Sequence, residues 1–185
     1  MNKPEVLSSN VAFTGRMARV VVEPTQFEDG HICPYEIYEK PDAVGVLVRD
    51  NHIQGSPYGN EEYLFVEQYR APFRENIIEL MAGVVDPGET PEEAAHRELA
   101  EELGYKANMM EFLGTIYSSP GWTNEKIHLF YASNLTPTLA RADPGEYITP
   151  VKLSRLSLLA RIRNGKFQDP KIITAVIIAR GKRYL

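Results

Sequence analysis

The stretch Gly83–Tyr105, GVVDPGETPEEAAHRELAEELGY, decides how this chain is read. Thr90-Pro91-Glu92-Glu93 is a helix start: the threonine can cap, Glu93 can reach back to it, and proline takes the first helical position. Gly104 supplies the stop. A helix is therefore expected from Pro91 to Leu103. Its far end carries Glu98, Glu101 and Glu102. Like charges three and four residues apart repel by about 0.2–0.5 kcal/mol per pair, and the C-terminal end of a helix is its negative pole. Local physics disfavours the arrangement twice, so something outside the helix has to offset it.

At roughly 100° per residue, Ala95, Leu99 and Leu103 form one stripe and the three glutamates occupy the adjoining arc. The carboxylates border the buried face. A cluster of oxygen ligands at such an edge suits hard cations such as Mg2+, which takes a carboxylate or two together with waters and substrate phosphates. The competing reading is a solvated, glutamate-rich helix. Glu93–Arg97 would be a good i,i+4 pair in it and Arg97–Glu101 a reversed one.

The rest of the chain bounds the function. Its 185 residues suit one domain with a small appendage, and 43% apolar content is enough for a core. A formal charge of −5 argues against a general nucleic-acid binder and fits a site that needs metal before it accepts an anion. The lone cysteine, Cys33, cannot form an intrachain disulfide and reads as a small strand or loop residue. No apolar run approaches the ~20 residues of a membrane span, and MNKPEVLSSN contains no apolar signal region. The expectation is a soluble, cytoplasmic protein with no nucleic-acid or membrane partner.

RMARVVVEPTQF and YEIYEKP, separated by the turn EDGH, are rich in β-branched and aromatic residues and read as strands. DAVGVLVRD is apolar enough for a strand buried on both faces, with EEYLFVEQYR as its partner and NHIQGSPYGN as the loop between. APFRENIIELMAGVVDPGE reads as a strand and loop entering the helix. NMMEFLGTIYSS, KIHLFYASNL and ITPVKL supply further strands; TPTLARADPGEY is a polar loop. Ser154 can cap one C-terminal helix that ends at Asn164-Gly165, and Asp169-Pro170 starts another.

Gly83, Glu89, Arg97-Glu98-Leu99, Glu101-Glu102 and Gly104 stand at the spacings that the signature of the Nudix hydrolase family requires. The stretch resembles that signature at every charged and glycine position; Tyr105, where an aliphatic residue is usual, departs from it. The resemblance implies an α/β/α sandwich with a mixed sheet that hydrolyses a nucleoside diphosphate linked to another group. It implies that Glu98 and Glu102 are the main metal ligands, with Glu101 assisting and Ala82 giving a backbone carbonyl. Mg2+ is the expected cofactor, and Mn2+ can substitute. Glu89 and Arg97 match a pair that orients the loop against the helix.

VEQYR…IIELMAGVVDPGE, and Pro120 sixteen residues beyond Gly104, resemble the ADP-ribose pyrophosphatase and nucleoside-diphosphate-sugar branch, although Met81 stands where proline or alanine is more usual. The N-terminal strands, residues 1–41, resemble an extension through which that branch forms homodimers; residues 42–185 would be the Nudix domain. Arg70 and Glu79 match substrate-contacting positions, the competing reading being a surface ion pair. Trp122 could stack on a base or sugar or pack at the dimer contact, and Glu125 could contact the terminal sugar or phosphate. Tyr69, Phe73 and Tyr117 read as core or strand residues and His128 as a strand residue. The general base tends to be a carboxylate on a late loop, for which Glu146 is the best match and Asp143 the runner-up. The function so implied is Mg2+-dependent cleavage of the pyrophosphate of ADP-ribose or a related sugar nucleotide. The alternatives are a GDP-mannose-type hydrolase and a catalytically silent Nudix domain that senses a nucleotide; an RNA-cap hydrolase lacks a basic run to support it.

Overall fold

Among the described residues the β-branched and aromatic runs become eleven strands, and the three capped segments become helices. In the N-terminal segment these are β1 (Glu5–Val6), β2 (Asn10–Thr14), β3 (Arg19–Gln26) and β4 (Ile32–Glu39). Then follow β5 (Ala43–Asp50), β6 (Glu62–Arg70), β7 (Glu75–Glu79), β8 (Met81–Val84) and α1 (Pro91–Leu103). The chain continues through β9 (Tyr105–Tyr117), β10 (Lys126–Pro137), β11 (Ile148–Ser154), α2 (Arg155–Arg163) and α3 (Pro170–Gly181). The computed structural model describes residues 2–16, 18–50, 61–139 and 147–185. The loop expected at NHIQGSPYGN, and Asp143 and Glu146, lie outside the described residues.

By compactness the chain divides into two units: residues 1–42 with 116–127, and residues 43–115 with 128–185. In the first, β3 is the centre of a four-stranded antiparallel sheet, with β4 on one side and β1 and β2 on the other. Gly30, at φ 81°, closes the β3–β4 connection, a left-handed conformation that favours glycine. Cys33 is a half-buried residue of β4. Every residue of β2 is exposed, Val11 and Phe13 among them.

The second unit holds a seven-stranded mixed sheet, ordered β11-β6-β5-β10-β9, with β7 against β6 and β8 against β5. As the apolar run of β5 suggests, both of its faces are covered. Val44, Val46 and Val48 pack with Ala94, Ala95 and Leu99 of α1. On the other face Gly45 leaves room for Leu80, Leu129 and the stem of Lys171 from α3. The result is the helix–sheet–helix sandwich that residue alternation in a central strand demands. Burying a leucine such as Leu99 contributes about 1.5–3 kcal/mol, so this core fixes the face that α1 turns to the sheet. No helix among the described residues is long and apolar enough to cross a membrane.

Candidate active site

The start of α1 forms as its sequence requires. Thr90 Oγ1 accepts from the Glu93 amide at 3.2 Å, and Glu93 Oε2 accepts from the Thr90 amide at 2.8 Å. Glu93 is thereby committed to the cap, and the Glu93–Arg97 pair of the competing reading gives way to a different one. Arg97 turns to Glu89, donating from Nε at 3.0 Å and from Nη2 at 2.9 Å. Nη2 also donates to the carbonyl of Val84 at 2.9 Å. Glu89 accepts from the amide of Asp86 at 3.2 Å as well. The loop between β8 and α1 is thus laced to the helix through one guanidinium.

The same guanidinium faces the glutamate cluster. Its Nη1 donates to Glu98 Oε1 at 2.7 Å and to Glu101 Oε2 at 3.0 Å. Arg97 therefore offsets part of the repulsion that the sequence left open. Its hydrogen bonds to Glu89, then those to Glu98 and Glu101, outweigh desolvation and raise its pKa; Glu89 is held below the ordinary carboxylate value chiefly by Arg97.

Glu98 goes beyond bordering the buried face: it is itself buried, 9% exposed. Its carboxylate lies against Gly83, where a Cβ would stand 1.9 Å from Oε1 and 2.0 Å from Cδ. With the carboxylate in this position, only a residue without a side chain fits there. On the adjoining side Glu102 Oε2 accepts from the amide of Ala82 at 3.3 Å. Two consecutive residues of β8 thus meet two glutamates of α1.

Whether this set suits a metal follows from its chemistry. Among the described residues no three acid, imidazole or thiol groups close on a single point; Glu98 and Glu101 turn to Arg97 and Glu102 to Ala82. Yet the donors are three carboxylates within two helical turns, beside a strand backbone kept bare at Gly83. Oxygen donors of that kind fit a hard divalent cation, and the space at Gly83 is what lets Glu98 reach the strand.

Arg70 and Glu79, expected as separate substrate contacts, are paired with each other. Arg70 Nε donates to Glu79 Oε1 at 2.5 Å and Nη2 to Oε2 at 2.8 Å. This is the ion pair of the competing reading, but Glu79 is only 5% exposed, so it is no surface pair. Burial pushes the Glu79 carboxyl up; the hydrogen bonds from Arg70 and the charge of Lys171 outweigh that and hold it below its ordinary value. The pair lines a cleft of about 380 Å3 with Phe73, Ile77, Gln168 and Lys171, a volume within the range of small-molecule sites. Phe73 stands exposed in a turn and so belongs to neither core nor strand; Tyr69 and Tyr117 lie in strands with exposed side chains.

Trp122 and Glu125 belong to the other compact unit. Trp122 is half exposed and tilted against Tyr38, with ring centres 5.6 Å apart, and its carbonyl accepts from the Tyr38 amide at 2.7 Å. Glu125 pairs with Lys40. His128 is a strand residue whose Nδ1 meets Thr115 Oγ1 at 3.0 Å. Asp169 and Lys171, beside Glu79, escaped the sequence reading. The Asp-Pro-Lys start of α3 signals a helix cap and gives no sign that the same residues reach a strand about ninety positions earlier, where Asp169 Oδ2 accepts from the Leu80 amide at 3.0 Å.

Comparison with known proteins follows the same lines. A family model described as NUDIX domain matches residues 39–175. The chain is 32% identical over 174 residues to a protein named methanol dehydrogenase activator from Bacillus methanolicus, covering 93% of this chain and 90% of that one. It is 28% identical over 174 residues to an ADP-ribose pyrophosphatase of Bacillus subtilis, with the same two coverages of 93% and 90%. Among solved structures, an ADP compounds hydrolase superposes with a TM-score of 0.82 at 22% identity, covering 98% of this chain and 94% of that one. At that identity the likeness speaks for the fold.

Proposed function

The chain belongs to the NUDIX family, and from that premise we propose that it hydrolyses the pyrophosphate of ADP-ribose or a related nucleoside diphosphate sugar. The carrying observation is the buried Glu98 carboxylate set against the bare backbone of Gly83 and held, with Glu89 and Glu101, by Arg97. The names of the relatives support the substrate class. Glu98 and Glu102, with Glu101 and the carbonyl of Ala82, would hold divalent cations, Mg2+ first and Mn2+ in its place. When bound, such ions neutralise pyrophosphate charge and lower the pKa of a coordinated water.

The chain's own groups do the rest. Arg97 and Glu89 fix the loop so that the glutamates keep their spacing. Arg70 and Glu79 present one charged, hydrogen-bonding floor to the substrate. Water adds its oxygen to one phosphorus, the bridging oxygen leaves with the other phosphate, and Glu146 takes the proton from the water. ADP-ribose then yields AMP and ribose 5-phosphate. The exposed apolar residues of the N-terminal sheet support assembly as a homodimer, and the lone cysteine supports a cytoplasmic setting.

The test is release of phosphomonoester from ADP-ribose, ADP-glucose and GDP-mannose in the presence of Mg2+, by the wild type and by Glu102→Gln. The wild type should turn over the ADP-sugars, and the variant should be nearly silent with its melting temperature kept. Turnover of none of the three, or near-normal turnover by Glu102→Gln, sinks this reading. Preference for GDP-mannose would move the chain to the alternative substrate.

A further inference from the structure

β7 and β8 form one extended stretch that changes partner at Leu80. Up to Glu79 it pairs with β6; from Met81 it pairs with β5. The Leu80 amide falls at the change, and the acceptor it finds is Asp169. The other oxygen of Asp169 caps α3 through the Lys171 amide at 2.9 Å and meets Lys171 Nζ at 3.0 Å. That ammonium continues to Glu79 Oε2 at 3.4 Å. A chain of four charges results: Arg70, Glu79, Lys171, Asp169.

Two cations match two carboxylates, which is the condition under which charges survive burial. Three of the four side chains are well buried, with Lys171 15%, Glu79 7% and Asp169 3% exposed. A purely structural role would be to pin α3 to the sheet. Two observations point further. The network floors the cleft, and the charge of Glu102 bears on Arg70, so its open end lies within the field of the glutamate cluster. Glu79 also depends on the ammonium: both of its oxygens are engaged by Arg70, but only Lys171 ties it to the helix behind.

We propose that Lys171, anchored by Asp169, is a positioning residue that holds the Arg70–Glu79 pair at the angle needed for substrate. Resting on the pyrophosphatase reading, this assigns the start of α3 a part in binding the substrate. Without the ammonium, the Arg70–Glu79 pair is fixed to β6 and β7 alone, with no tie to α3, and can swing in the cleft.

The experiment is a double-mutant cycle of Lys171→Met and Glu79→Gln. It is read by steady-state kinetics on ADP-ribose and by the nitrogen–proton NMR signal of Arg70 Nε. Lys171→Met should raise KM about tenfold, the scale of one charge-assisted hydrogen bond, with kcat changed less than about twofold. The Arg70 signal should shift or broaden without any substrate present. Lys171→Gln, which keeps a donor without the charge, should fall between, and it carries the same cycle if the methionine variant does not fold. The double variant should bind no worse than Glu79→Gln alone. Additive losses in the cycle, or an unmoved KM together with an unmoved Arg70 signal, would overturn the proposal. An inactive wild type would instead overturn the pyrophosphatase reading, because the Arg70 signal still reports whether Lys171 holds the pair.

Discussion

Gly83→Ala isolates the contact on which the site depends. The added Cβ would stand 1.9 Å from Glu98 Oε1 and 2.5 Å from Oε2. What it meets is the end of a side chain rather than backbone, so the carboxylate can retreat. To reach ordinary contact at 3.4 Å it must move by about 1.5 Å. Such a shift weakens the 2.7 Å bond from Arg97, which keeps its other partners. The stability cost is about 1 kcal/mol, below the roughly 1.5–3 kcal/mol of a hydrogen bond to a charged group, because the guanidinium is partly solvated and the bond is weakened rather than lost. In a chain of this size that lowers the melting temperature by about 2–4 °C. Catalysis should suffer far more, since misplacing a reacting geometry by about 1 Å costs on the order of 10²-fold. Thermal denaturation and turnover of ADP-ribose, measured on the same preparation, separate the two. A variant with near-normal kcat would show that the position of Glu98 does not matter. One that loses its fold would show that Gly83 serves packing alone.

Three further outcomes are expected. Glu146→Gln should cut kcat on ADP-ribose by more than it raises KM; an unchanged rate would remove Glu146 as the base. Stability should be level at neutral pH and fall once the pH drops below about 4.5, the ordinary glutamate value. Glu79 and Glu89 both sit lower in the folded chain, so their contribution is complete above that pH and is lost as acid protonates them. Glu89→Gln should begin less stable and lose less on acidification in denaturant melts, and a parallel fall would contradict this. Phe13→Glu, placed on the exposed β2, should shift the particle toward a monomer in light scattering, whereas an unchanged mass would argue against assembly through that sheet.

What could be read in the sequence is what depends on neighbours in the chain. Thr90, Pro91 and Glu93 announce the helix start because capping acts over three residues, and Gly104 ends it with φ at 72°. The apolar run of β5 reveals a strand covered on both faces. Competition between local partners was harder to see: Glu93 could serve either the cap or Arg97, and only the folded chain shows the cap winning. Contacts between distant segments left no trace. Arg70 and Glu79 are nine residues apart and read first as separate substrate contacts, with an ion pair as the competing reading; antiparallel pairing of β6 with β7 makes them one unit. Lys171 is 92 residues from Glu79, and no periodicity carries that information.

The latch from Leu80 to Asp169 spans 89 residues, and this gives the site a timetable. On the ribosome, α1 with its glutamates can take shape as soon as the sheet beneath it is available. The latch on Leu80 has to wait until the chain has been made through residue 169. Closing so long a loop is slow compared with forming a capped helix. The glutamates of α1 are therefore early structure and the floor of the cleft is late structure. A chain that stops short of α3 would carry the complete signature in its sequence and still lack Asp169 and Lys171, which line the cleft with Arg70 and Glu79.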